Sequence, residues 1–267
     1  AAHAMTGFAT SVIGCGVEAG IEAEISSELS PDGRPGVSIL MFAMGSKVLM
    51  QQLETRMGQC VLTCPTAAAF AGIASDEPIN LGKNLRFFGD GFQTSKLIGG
   101  KRYWRVPVMD GEFLCEESTG MVRAIGGGNF LILATSQSAA LAAAEVAIAA
   151  MQRLPNVIMP FPGGVVRSGS KVGSRYAAMF ASTNDAFCPT LKGVTQTELS
   201  SDIERVMEIV IDGLSFDDIA LAMHTGIAAI CALGSASGVK RISAGNYGGK
   251  LGPHHFKLHS IMGIEKP

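Results

Sequence analysis

The chain is short of the residues that several classes of function require. It has one Trp and three Tyr, and its 21 basic and 23 acidic side chains, interspersed along the sequence, leave a net charge of −2. That supplies neither an electrostatic footprint nor a stacking platform for nucleic acid. Long apolar runs are also missing: Ala139 to Met151 is interrupted by Glu145, and Ile227 to Leu233 falls far below the roughly 20 residues of a bilayer span. No membrane span is expected. No basic segment followed by an apolar run opens the chain, so no signal peptide is expected, and Ala1 at the start points to an incomplete or processed chain.

Cysteines are sparse too, at six, and no paired CxxC clusters occur. They exclude a disulfide scaffold and read as reduced thiols of a cytoplasmic protein. Cys60 and Cys64 fall on an expected strand, where they would stand roughly 13 Å apart, too far to share one metal. Cys188 has no His beside it in sequence to activate it. Of the histidines near the C-terminus, only His255 and His259 would share a strand face, with no carboxylate placed as a third ligand. No metal site is expected.

What is present is enough for sizeable cores: 47% of residues are hydrophobic and 16% charged. A strand-helix-strand pattern recurs three times. Val37 to Ala43, Ser46 to Met57 and Cys60 to Cys64 form the first unit. Asn129 to Thr135, Gln137 to Arg153 and Val157 to Phe161 form the second, and Val206 to Asp212, Ser215 to Leu233 and Lys240 to Ala244 the third, with Ser215 as N-cap. Two units in tandem make a βαββαβ lobe. The expected fold is therefore α+β, with lobes over 1–110 and 111–267. The first lobe adds strands at Thr10 to Cys15 and Ile21 to Ile25, and a hairpin from Leu85 to Gln93 and Arg102 to Val108.

Two phosphate-binding signatures are nearly present and fail on physical grounds. Gly14-Cys15-Gly16-Val17-Glu18-Ala19 fits a dinucleotide pattern, but the chain continues as extended acidic strand, so no helix N-terminus is offered to a pyrophosphate. Gly164 to Lys171 and Gly245 to Lys250 do not complete a Walker loop.

The chemistry concentrates in the last third, in PFPGG (Pro160 to Gly164), STNDAFCPT (Ser182 to Thr190), MEIVIDGL (Met207 to Leu214) and ISAGNYGGKLG (Ile242 to Gly252). Strand alternation puts Val206, Glu208, Val210 and Asp212 on one face, with Glu208 flanked by aliphatics. A carboxyl in apolar surroundings stays protonated and can donate to negative charge developing on oxygen, which suits acyl transfer. An edge strand with Glu208 facing water is the alternative. Candidate donors and positioners are Ser182, Asn184, Asn246 and Lys250, with Asp185, Gly163 and Gly164 beside them. Asn184-Asp185 could equally form a turn, Asn246 could cap Gly-rich backbone, and Asp32 with Arg34 reads better as a turn-stabilising pair than as a site.

These motifs, with PDGRPG (Pro31 to Gly36), FFGDG (Phe87 to Gly91), GGNF (Gly127 to Phe130) and SKVGS (Ser170 to Ser174), occur in an order that resembles the formylmethanofuran:tetrahydromethanopterin formyltransferases. The likeness runs from Thr6 to His259. It implies two ferredoxin-like lobes, a homotetramer, no bound prosthetic group, and transfer of a formyl group between methanofuran and N5 of tetrahydromethanopterin in a ternary complex, with the catalytic glutamate at Glu208. Members of that family carry a further strand and helix before the position of Met5, so the first lobe is expected to lack its initial strand and helix. The acid-base balance favours a bacterial methylotroph, where the resemblance implies a subunit of a formyltransferase/hydrolase complex. A non-catalytic assembly subunit and an enzyme acting on another formylated amine stay open as alternatives.

Overall fold

In the computed structural model, which describes residues 1–245 and 252–264, chain contacts divide the molecule into two compact units, Ala1–Ala124 and Ile125–Pro267.

The first unit opens on two single-turn helices, α1 (Ala2–Thr6) and α2 (Val12–Cys15), followed by the antiparallel pair β1 (Glu18–Ile25) and β2 (Gly36–Phe42) and by α3 (Ser46–Arg56). The strand expected at Thr10 to Cys15 is thus mostly helix. Ser11 caps it by accepting from Ile13 N, and Gly16 at φ 77° ends it. Directly after Gly16 the chain enters β1, so the glycine pair at 14 and 16 has no long helix behind it. Arg56 ties the N-terminal segment down by donating to the carbonyls of Met5, Gly7 and Phe8 at 2.5, 2.8 and 3.1 Å.

The strand expected at Cys60 to Cys64 is not a strand. The helix continues through a π-turn at Met57–Val61, with Leu62 N donating to Met57 O, because Met57 and Val61 then both enter the core with Val106, Phe113 and Cys115. Next come β3 (Ala68–Ala69), β4 (Pro78–Asn80) and α4 (Gly82–Leu85). The expected hairpin is displaced: Arg86–Gly89 is a 3-10 turn, and β5 (Thr94–Ile98) pairs with β6 (Lys101–Val108) across Gly99 and Gly100, at φ 57° and 80°. That two-glycine connection is the turn chemistry a tight hairpin demands. The Met109-Asp110 turn joins β6 to β7 (Gly111–Glu116), which lies antiparallel to β6 and parallel to β3, while β8 (Ser118–Gly120) pairs with β4.

The second unit runs β9 (Ile125–Ala134), α5 (Gln137–Met151), β10 (Val157–Ile158), the hairpin β11 (Ser170–Val172) with β12 (Ala181–Thr183), β13 (Arg205–Gly213), α6 (Phe216–Ala232), β14 (Val239–Ser243) and α7 (Leu258–Ile261). Its antiparallel sheet has the order β10-β13-β9-β14. The strands and helices of the two strand-helix-strand repeats expected in this unit are all found. β10 stops at Ile158, ahead of Pro160 and Pro162, neither of which can donate to a ladder. Ser136 and Ser215 cap the two long helices by accepting from Ala139 N and Asp218 N.

Phe130, Ile132, Ile209 and Ile211 meet α5 and α6 in the main core. Small residues allow that approach: a Cβ on Gly128 or Gly213 would lie 2.4 or 2.7 Å from Ile219, and one on Gly226 2.7 Å from Met151 Sδ. Leu131, Leu133 and Val206 pack with Leu199, Ile203 and Phe187, from the long connection after β12, in a second cluster. His254 and His255 precede α7 outside any strand, and His259 lies on α7, which corrects the strand expected there.

Candidate active site

Strand β13 sits between neighbours on both sides, so its alternation decides where Glu208 goes. The register sets Glu208 opposite Leu131 and Val210 opposite Asn129. Cross-strand partners share a face, so Glu208 shares one with Leu131, Asn129, Val206 and Val210, while Ile209 and Ile211 turn to the helices. Glu208 is 5% exposed, which rules out the water-facing edge strand. Asn129, itself 8% exposed, donates from Nδ2 to Glu208 Oε1 at 2.7 Å. A buried carboxyl is tolerated when its oxygens have such partners.

The backbone around Glu208 is equally determined. Past β10 the chain leaves the sheet through a 3-10 turn at Pro162–Gly164, with Gly163 and Gly164 at φ 64° and 79°. It then returns, so that Val166 N donates to Glu208 O at 2.8 Å and Glu208 N to Val166 O at 3.0 Å. A side chain on Gly164 would meet Ile148 at 2.9 Å. Both glycines therefore act first on the chain's path, which needs left-handed backbone beside a helix. At the far end of β13, Asp212 is fully buried and accepts from Gly127 N at 2.9 Å.

Ser182 and Asp185 lie on or just past the β11–β12 hairpin, with Asn184 between them. Ser182 Oγ donates to Gly173 O at 2.7 Å, and Asp185 accepts from Lys171 Nζ, a bond that holds the Asp185 carboxyl below its ordinary value of 3.8. Asn184 makes no side-chain cap, and its carbonyl accepts from Phe187 N at 3.1 Å. Asn246 and Lys250 lie outside the described residues. Their neighbour Gly245 is described, and a Cβ there would stand 2.9 Å from Asn129 Nδ2, so the ISAGN run starts against the partner of Glu208. Asp32 pairs with Arg34 at 2.6 Å and Arg34 reaches Thr66 O, the turn-stabilising role expected for them.

Two polar residues escape a reading of the sequence by itself. Asn129 lies inside the GGNF motif, and its signal is an amide at the head of the apolar run Phe130 to Ala134. Lys171 lies inside SKVGS, and only pairing of the two short strands brings it to Asp185. Among the described residues no three His, Cys, Asp or Glu side chains are grouped as a metal site. What the arrangement offers is a buried carboxyl among aliphatics, held by an amide, on a strand bonded to the segment that follows the Gly163-Gly164 turn.

Comparison with known proteins agrees with this geometry. Residues 1–108 match the family model described as formylmethanofuran-tetrahydromethanopterin formyltransferase, and residues 111–261 match the proximal lobe of the same enzyme. A formylmethanofuran–tetrahydromethanopterin formyltransferase of Methylobacillus flagellatus is 76% identical over 98% of this chain and 88% of its own length. One of the subunits of the formyltransferase/hydrolase complex of Methylorubrum extorquens is 51% identical over 100% of this chain and 87% of its own length. The crystal structure of that complex with methylofuran superimposes with a TM-score of 0.95 at 51% identity, covering 100% of this chain and 88% of the other. The Methanosarcina barkeri formyltransferase gives a TM-score of 0.92 at 47% identity, over 97% and 88% of the two chains. On its sequence, its buried glutamate and these likenesses, the chain belongs to the formylmethanofuran-tetrahydromethanopterin formyltransferase family.

Proposed function

We propose that this chain moves a formyl group between the amine of methanofuran, or a methanofuran analogue, and N5 of tetrahydromethanopterin, by direct transfer in a ternary complex. The acceptor amine attacks the formyl carbon, protonated Glu208 donates to the oxygen of the tetrahedral intermediate, and collapse expels the other amine. Both coenzymes are substrates, and no prosthetic group takes part in this scheme. The observation that carries the reading is the enclosed Glu208–Asn129 pair in a chain 76% identical to a formyltransferase so named.

Around Glu208 we place the substrate contacts at Ser182, Asn184, Asp185, Asn246 and Lys250, with Gly163 and Gly164 shaping the approach. We read the chain as two ferredoxin-like lobes over 1–110 and 111–267. The β10-β13-β9-β14 order with both long helices on one core supports this for the second. The chain assembles as a homotetramer, as the family likeness implies, or with further subunits of a formyltransferase/hydrolase complex, which the Methylorubrum extorquens relative supports by being named as part of one; six unpaired thiols support a cytoplasmic setting. The test is to incubate the purified protein with formylmethanofuran and tetrahydromethanopterin and follow formyl-pterin absorbance. Turnover at ordinary enzymatic rates is expected, and none would leave the non-catalytic assembly subunit as the reading.

A further inference from the structure

Strand β9 contributes Phe130, Ile132, Leu131 and Leu133 to the two hydrophobic clusters of the second unit, all of them buried. Asn129 heads this run at a position 8% exposed, where an aliphatic side chain would pack without any need for a partner. The amide instead reaches diagonally across the ladder, from its own position opposite Val210 to Glu208, and donates at 2.7 Å to Oε1. The backbone of Gly245 also lies beside it, close enough that a methyl there would stand 2.9 Å from Nδ2.

We infer that Asn129 is a positioning residue for the transfer reaction: it sets the orientation of the Glu208 carboxyl. An amide N–H can only donate, so Oε1 accepts from Asn129, and this bond fixes where the second oxygen, Oε2, is aimed. That bond restricts the terminal torsion of the carboxyl, which is intrinsically broad and roughly twofold, so its loss loosens the aim of the donor where the oxyanion forms. Gly245 belongs to the device, because any side chain there pushes the amide off Oε1. This inference rests on the role proposed above for Glu208.

Five variants, three single and two double, test it in the formyl-transfer assay, with kcat and KM measured separately. Asn129→Ala should lower kcat by on the order of 10- to 100-fold with KM changed less than about threefold. Added to Glu208→Ala it should change kcat by less than about twofold, since nothing remains to position. Gly245→Ala should reproduce the kcat loss alone and add nothing to Asn129→Ala, and it decides the matter should Asn129→Ala fail to fold. A multiplicative loss in either double variant, or wild-type kcat in Gly245→Ala, would overturn the inference while leaving Glu208 in its role. Wild-type turnover by Glu208→Ala would instead remove the role of Glu208, and the inference with it.

Discussion

Replacing Glu208 by Gln separates chemistry from architecture because the shapes match. The position is 5% exposed and Oε1 accepts from Asn129 Nδ2 at 2.7 Å. The Gln carbonyl oxygen keeps that bond, which leaves its Nε2 where the acidic oxygen was, so a donor survives but as a neutral amide. Removal of one oxyanion donor costs about 10² to 10³ in kcat, or roughly 2.7–4 kcal/mol of transition-state stabilisation. The Gln variant should fall in that range with KM and melting temperature nearly unchanged. Glu208→Ala removes the donor entirely and also takes from the buried Asn129 amide this acceptor, worth about 1–3 kcal/mol, besides opening a cavity. It should be slower still and should melt lower, by roughly 2–4 °C for each kcal/mol in a protein of this size. Formyl-pterin absorbance gives the rates and calorimetry the melting temperatures. A Gln variant that turns over like the wild type refutes the reasoning and sends the search for the donor to Asn184, Asn246 and Lys250.

Other expectations concern packing, thiols, acid and assembly. Gly128→Ala places a methyl 2.4 Å from Ile219 Cγ2 and should destabilise by about 1–3 kcal/mol in denaturant titration; in an Ile219→Ala background the added cost should shrink, and strict additivity would contradict the contact. A thiol reagent at pH 8 should label exposed Cys231 in the native protein and spare Cys115, which burial pushes up to about 12, until the chain unfolds. Asp185 is held below 3.8 first by the hydrogen bond from Lys171. Its folded value is depressed, so its contribution is present above 3.8 and lost as pH falls through the lower folded value; Asp185→Asn should flatten that part of the stability profile, and an unchanged profile would deny the pair any role. Solution scattering should show an oligomer at micromolar concentration, and an active monomer would refute that assembly.

The second unit is legible in the sequence because its signals agree at every level. Ser136 and Ser215 mark helix starts, the apolar runs of β9 and β13 have strand length, and alternation along MEIVIDGL places Glu208 on the correct face. The first unit is less so, and each miss has a physical reason. Cys60 to Cys64 has a composition a strand could use, yet packing of Met57 and Val61 into the core carries the helix onward as a π-turn. Phe87 and Phe88 suggest a strand, whereas Gly89 lies so near Gln93 that its Cβ would meet that side chain at 2.9 Å, which suits a tight turn. Asn129 is invisible in sequence as a partner of Glu208 because the contact spans 79 positions and exists only once β9 and β13 pair.

The detour between Ile158 and Val166 has a consequence for motion. Glu208 commits both its backbone groups to Val166, a residue that arrives after a proline-glycine excursion rather than along a continuous strand. Its amide should therefore be among the slowest to exchange with deuterium in the second unit, although the residues a short way before Val166 lie outside the sheet. The proposed acid is thus expected to open only with the whole sheet, while Ser182, Asn184 and Asp185, proposed above as substrate contacts, lie on the short β11–β12 hairpin and the turn after it. Changes there could retune which furan or pterin is accepted without disturbing the aim of the carboxyl.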